Sequence, residues 1–205
     1  MIFVVALIGC SHSSSVPTAV SVDELVSAGN PYLISRQDVD PKVVARFERG
    51  KRYLAESELV RAETEFTWII ERHPELSGPY LNMAVVYLER GQTDLAETFF
   101  GEALRANPQN LNAYNRYAIY LRESGRLRDA EQQYLAALSI WQGHSISHHN
   151  LAILYDLYLG EQDLALEHYR RYQELSGSES RQLAGWIADL QRQAALLAQG
   201  THHVE

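Results

Sequence analysis

Apolar residues in this chain fall into two kinds of run. The first ten residues, MIFVVALIGC, are apolar almost without a break, whereas beyond about Pro41 the pattern becomes periodic. His73-Pro74 and Asn107-Pro108 stand 34 residues apart, and what precedes each proline matches. An alanine lies twelve residues before each (Ala62, Ala96), an aromatic eight before (Phe66, Phe100) and a tyrosine 21 before (Tyr53, Tyr87). Stepping on by 34 from Tyr80, Ala84, Ala96 and Phe100 lands on Tyr114, Ala118, Ala130 and Tyr134. Self-similarity at this period predicts stacked helix–turn–helix units. Gly91 and Gly125 fall where the first helix of a unit must stop and turn, a place that favours left-handed backbone. Pro74 and Pro108 end second helices, because proline cannot continue one and turns its predecessor away from helix.

The units run over residues 43–76, 77–110, 111–144 and about 145–176. The second carries Tyr80, Met83, Ala84, Tyr87, Ala96, Phe100, Ala103 and Pro108; the third carries Tyr114, Tyr117, Ala118, Leu121, Ala130, Tyr134 and Ala137, with Gln142 in place of proline. The first keeps Gly50, Tyr53, Ala62, Phe66 and Pro74, with Arg46 at the opening aromatic position. The fourth keeps Leu151, Ala152 and Tyr155, and its second helix (Ala165, Tyr169, Tyr172) fits once one residue is inserted near Gly160. Over about two-thirds of the chain this pattern resembles the tetratricopeptide repeat (TPR) family. The resemblance implies an all-α solenoid of about four hairpins, with small residues where helices touch and aromatics between hairpins. A single hairpin cannot bury its apolar face alone, so such units stack and the last needs a cover. Leu183, Trp186, Ile187, Leu190, Ala194 and Leu197 are spaced for one helical face, which predicts a capping helix with Trp186 and Leu190 buried on the fourth repeat.

Leu7-Ile8-Gly9-Cys10 resembles the lipobox of bacterial lipoproteins, in which the cysteine is acylated. The apolar run is too short to span a bilayer and suits a signal-peptide core. No Lys or Arg precedes it, so either the natural start lies upstream or the signal is atypical. Cys10 is the sole cysteine, which excludes an intrachain disulfide framework. Several acyl chains on one residue suffice for stable anchoring. The resemblance, with Ser11 after the cysteine, implies an outer-membrane lipoprotein facing the periplasm. The organisation expected is therefore a signal segment (1–10), a Ser-rich tether (11–41), TPRs (42–178), a capping helix (179–199) and a tail (200–205), with a short helix near Asp23–Ser27.

The net charge is -8, and the charges are mixed rather than blocked. That argues against nucleic acid, which needs a basic face, and against a polybasic membrane patch. The carboxylates read as solvated outer-face groups. Phosphate loops, H-E-x-x-H and a Cys–His pair are all missing from the sequence, so no catalytic residue, cofactor or small-molecule substrate is expected. The one alternative is a metal-binding or enzymatic role for His144, His148 and His149, since residues 144 and 148 are spaced to share a helix face. Packing is the competing reading: His144 falls in the turn before its helix, and His148 replaces the opening aromatic.

In TPR solenoids the first helices line a concave groove. The resemblance therefore implies a protein-binding groove built from Phe47 and Lys51, then Leu81, Asn82, Val85 and Glu89, then Asn112, Asn115, Arg116 and Glu123, then His149 and Asn150. Asn82 and Arg116 match two positions of the family's carboxylate clamp; Phe47, Lys51 and Asn112 depart from it, so the clamp is incomplete. The layout is similar to TPR lipoproteins of pilus assembly, NlpI-type adaptors of cell-wall hydrolases and TPR proteins of TonB-type complexes. It implies a scaffold or adaptor for an envelope machine, with protein partners.

Overall fold

The computed structural model describes Asn30 and residues 39–201. The lipobox and Cys10, the short helix near Asp23–Ser27, most of the tether and residues 202–205 of the tail lie outside the described residues. Nine α-helices make up the described chain. Four hairpins pair α1 (Pro41–Ala55) with α2 (Leu59–Ile70), α3 (Ser77–Glu89) with α4 (Thr93–Ala106), α5 (Leu111–Glu123) with α6 (Leu127–Ile140), and α7 (Ser145–Leu154) with α8 (Gln162–Ser176). A final helix, α9 (Arg181–Thr201), packs on α8.

Burial follows the repeat. The small positions of the second, third and fourth hairpins, Ala84 with Ala96, Ala118 with Ala130 and Ala152 with Ala165, are all without solvent exposure, which lets helix axes approach closely. In the first hairpin Gly50 takes the small position, because a Cβ there would lie 2.7 Å from the Phe66 ring. Phe66, Phe100, Tyr134 and Tyr169 form a fully buried column. Successive first helices (α1, α3, α5, α7) pack against one another, while successive second helices are splayed wider, so the stack curves with the first helices inside.

The turns within hairpins share one device. Gly91, Gly125 and Gly160 are left-handed, and Ser57 adopts the same conformation in the first hairpin. In the first three hairpins a 6→1 bond closes the turn: Glu58 N–H to the Tyr53 carbonyl (2.8 Å), Gln92 to Tyr87 (2.9 Å) and Arg126 to Leu121 (2.9 Å). In the fourth the same bond skips one residue further, from Glu161 to Tyr155 (2.9 Å). The extra residue is absorbed as a π-helical turn over Tyr155–Leu159, where the ladder widens by one. Leu157 and Tyr158 are carried to the surface by this turn, at 70% and 49% exposure.

The buried aromatic column contains an instructive pair. In the first two hairpins the column residue is phenylalanine, with Leu54 and Leu88 at the twelfth position of the unit; in the third and fourth it is tyrosine, with Arg122 and Asp156 there. The Tyr169 hydroxyl donates to Asp156 Oδ2 at 3.3 Å. The Tyr134 hydroxyl, and Arg122 Nε beside it, are buried without a partner. An unsatisfied buried hydroxyl costs stability, whereas a made bond contributes about 1 kcal/mol. Tyr134→Phe is therefore expected to raise stability by up to about 1 kcal/mol, and Tyr169→Phe to lower it by a similar amount. Urea denaturation of both variants reads the two signs.

On α9, Leu183, Ile187 and Leu190 are buried. Trp186 is half-buried rather than buried: its ring packs on Tyr169 (centroids 5.5 Å apart) and reaches towards His149 (6.5 Å), leaving one edge in solvent.

Candidate functional site

The inner face is built from α1, α3, α5 and α7, and the groove residues fall along it in register. Phe47, Leu81 and Val85 are half-buried; Lys51, Asn112 and Arg116 are exposed. The Phe47 ring packs edge-on against Phe66 (5.9 Å) and close over Gly78, where a Cβ would meet it at 3.2 Å. Phe47 also lines a cavity of about 330 Å³ with Val43, Val44, Ile69, Leu76 and Pro79, between the starts of α1 and α3.

Three residues occupy the sixth repeat position on adjacent first helices, and they do different things. Asn82 donates an amide N–H to the Gly78 carbonyl of its own helix (2.8 Å). Asn150 donates to Asn115 Oδ1 (3.0 Å), tying α7 to α5 and explaining why Asn115 is buried rather than open to the groove. Arg116 makes no hydrogen bond or ion pair with any described residue and stands exposed. Lys51, by contrast, pairs with Glu48 (3.0 Å) on its own helix.

The histidines of the fourth hairpin do not converge as their sequence spacing suggests. His144 is the N-cap residue of α7 and bonds Ser147 Oγ through Nδ1 (2.7 Å). His149 packs at a tilt against Tyr172 (4.6 Å between centroids, 47° between planes), towards α9. His148 turns instead to His168 of α8, with Nδ1 to Nδ1 at 2.8 Å. Each faces a different neighbour, so the proposed His144/His148/His149 cluster is not a site. Burial holds His144, His148 and His168 down to about 4, so all three are neutral at pH 7. Among the described residues no group of three or more His, Cys, Asp or Glu is placed to hold a metal ion. His168 escaped the sequence reading although its column held a signal. Allowing for the inserted residue, His148 and His168 occupy the positions of Tyr80 and Phe99, whose rings also face each other (6.3 Å).

A second set went unread. Glu63, Glu97 and Glu131 recur every 34 residues on the second helices. Each accepts from the next hairpin: Glu63 from Tyr87 (3.2 Å) and Arg90 (2.7 Å), Glu97 from Tyr117 (2.7 Å) and Arg126 (2.6 Å), Glu131 from Tyr155 (2.7 Å). The Arg126 and Tyr117 bonds hold the Glu97 carboxyl below the usual carboxylate range. These are joints between repeats rather than solvated groups.

Family models described as tetratricopeptide repeat match residues 78–110 and 99–132. Residues 78–132 are tetratricopeptide repeat sequence, and the same helical hairpin recurs on either side of them. No curated protein sequence matches it. Among solved structures it is similar to PilF of Pseudomonas aeruginosa, with TM-score 0.65 and 22% identity over 75% of this chain and 69% of that one. It is also similar to MamA from Desulfovibrio magneticus RS-1, with TM-score 0.59 and 15% identity over 80% and 92%. A third likeness is to the first TPR of Spaghetti (RPAP3) bound to the HSP90 peptide SRMEEVD, with TM-score 0.51 and 19% identity over 58% and 97%. These likenesses establish the TPR fold. TPR domains mediate protein–protein contacts, which makes the inner face the candidate interface.

Proposed function

We propose that this chain is a lipid-anchored periplasmic scaffold of the outer membrane, and that its inner groove binds an extended or helical peptide segment of an envelope protein. The observation that carries the groove is Arg116: an exposed guanidinium without an ion-pair partner among the described residues, on a face where Lys51 is paired with Glu48. An arginine fork binds a carboxylate or peptide carbonyls in two-point fashion, and in such a setting it is a natural hot spot. Phe47, Leu81 and Val85 supply partly open apolar surface on the same face, Asn112 an exposed amide. A TPR neighbour bound to a peptide supports this mode. The likeness to PilF favours a pilus-assembly machine over cell-wall hydrolase regulation or a TonB-type complex. Support for the anchor comes from the Leu7-Ile8-Gly9-Cys10 resemblance.

Arg116→Ala is expected to weaken partner binding by about 1–3 kcal/mol, the range for losing bonds to a charged group, with no change in melting temperature. Asn82→Ala adds a small loss of stability, because the Gly78 carbonyl loses its side-chain donor. The measurement is calorimetric titration with a partner recovered from solubilised envelope, alongside circular dichroism. Undiminished binding in the Arg116 variant, with loss on altering the outer face, would move the interface to the convex side. For the anchor, Cys10→Ala is expected to leave the protein unprocessed or soluble. If the variant still fractionates with the outer membrane, lipidation is not what holds it there.

A further inference from the structure

The His148–His168 pair has a defined protonation pattern. His148 Nε2 lies 3.0 Å from the Gln142 carbonyl oxygen, which only accepts, so Nε2 carries the hydrogen. His148 is neutral, which leaves a bare lone pair on its Nδ1; the hydrogen in the 2.8 Å contact then belongs to His168 Nδ1. Two imidazole nitrogens thus converge with one hydrogen between them. The Tyr155 ring is stacked on His168 (5.7 Å, 19° between planes), and its hydroxyl is fixed to Glu131 (2.7 Å), which holds the His168 ring from behind. Both histidines line an open cavity of about 670 Å³ on the outer side, between α6 and α8, which carboxylates (Asp163, Glu167, Glu174) and guanidiniums (Arg170, Arg171) also line.

We propose that His148 Nδ1 and His168 Nδ1 form a two-histidine seat for a zinc-class divalent cation, with water from the cavity completing its coordination. Tetrahedral zinc with nitrogens at about 2.0–2.1 Å places two ligand atoms about 3.3 Å apart; the rings meet head-on, 2.8 Å between nitrogens and 5.1 Å between centroids, so the contact must open by about 0.5 Å and each ring turn by about 35° to aim its nitrogen at the ion. The outer contact is already the one metal-bound histidines use: the remote N–H of His148 donates to a backbone carbonyl, which fixes the tautomer and aims Nδ1 at the seat. On binding, the His168 hydrogen moves through solvent from Nδ1 to Nε2, so both rings ligate as neutral imidazoles and no net proton is released. Two protein ligands make this a weaker, exchangeable site than a four-ligand structural one. The bound ion pins α7 to α8, and its affinity adds to the stability of the fourth hairpin by mass action.

The probe is Zn2+ alone, titrated calorimetrically into the metal-free full chain at pH 7.5, with a parallel thermal melt. The background carries His202→Ala and His203→Ala, so that the tail histidines contribute nothing. The expected result is one equivalent bound and a raised melting temperature. His168→Phe keeps the ring stack on Tyr155 and is expected to weaken binding at least about tenfold and to abolish the melting shift. His168→Asn serves the same purpose if the phenylalanine variant loses helicity. Absence of heat and of a melting shift with excess Zn2+, or binding unchanged in a folded His168 variant, overturns the seat. Binding seen only when His202 and His203 are present assigns the cation to the tail and overturns it equally.

Discussion

Removal of residues 181–205 is expected to lower the melting temperature by about 10–20 °C and to drive the protein into aggregates. Three buried side chains of α9, Leu183, Ile187 and Leu190, leave the core when it is cut away. Burial of each is worth about 1.5–3 kcal/mol. The counterpart surface suffers as well: Tyr169, almost fully buried, and the half-buried Tyr172 become the open face of the last hairpin. A loss of about 5 kcal/mol corresponds to the stated shift at the 2–4 °C per kcal/mol typical of chains this size. Leu190→Ala, which keeps the helix, is the milder form, at about 2–5 kcal/mol. Circular dichroism melts and size-exclusion chromatography give both readouts. A melting curve unchanged by the deletion would mean that α9 adds nothing to the stack.

The second large effect is expected at Phe100→Ala, a loss of about 3–5 kcal/mol. Phe100 is buried at the joint between the second and third hairpins, stacked on Tyr117 (5.2 Å) and Tyr120 (5.8 Å). In a solenoid each unit is stabilised only by its neighbours, so damage at an internal joint does not spread evenly. The variant is expected to unfold in two steps: the shorter N-terminal pair of hairpins opens first, and the C-terminal half persists under α9. Hydrogen exchange followed by mass spectrometry separates the two halves, with amides of 41–106 losing protection before those of 111–190. A single cooperative loss across the whole chain would show that the joint does not divide the stack.

The repeat architecture was legible because it is written in apolar and small residues, whose burial follows from spacing alone. Ala96 and Phe100 need no partner to be named before their column is visible. The one-residue insertion near Gly160 was visible as a count, but its form was not: a longer loop and a widened helical turn have the same length. Polar pairs were the blind spot. His148 and His168 stand 20 residues apart, and only the geometry of the hairpin says that their nitrogens meet. His144 and His148 look better matched in sequence, yet His144 is taken by Ser147. Along the groove, register placed Asn82, Arg116 and Asn150 on one row, but only the atomic contacts show that Arg116 alone of the three is free to reach a partner.

The glutamates at 63, 97 and 131 give the stack a mechanical character. Because they hold the same place in successive units, their bonds to Tyr87 and Arg90, to Tyr117 and Arg126, and to Tyr155 act like stays along one edge of a curved mast. Stays of this kind resist bending while leaving each hairpin intact. The row has no fourth member: allowing for the insertion, the corresponding residue is Leu166, which packs in the apolar core instead. Stiffness is thus graded along the molecule, braced by charge over its first three units and by grease at its far end.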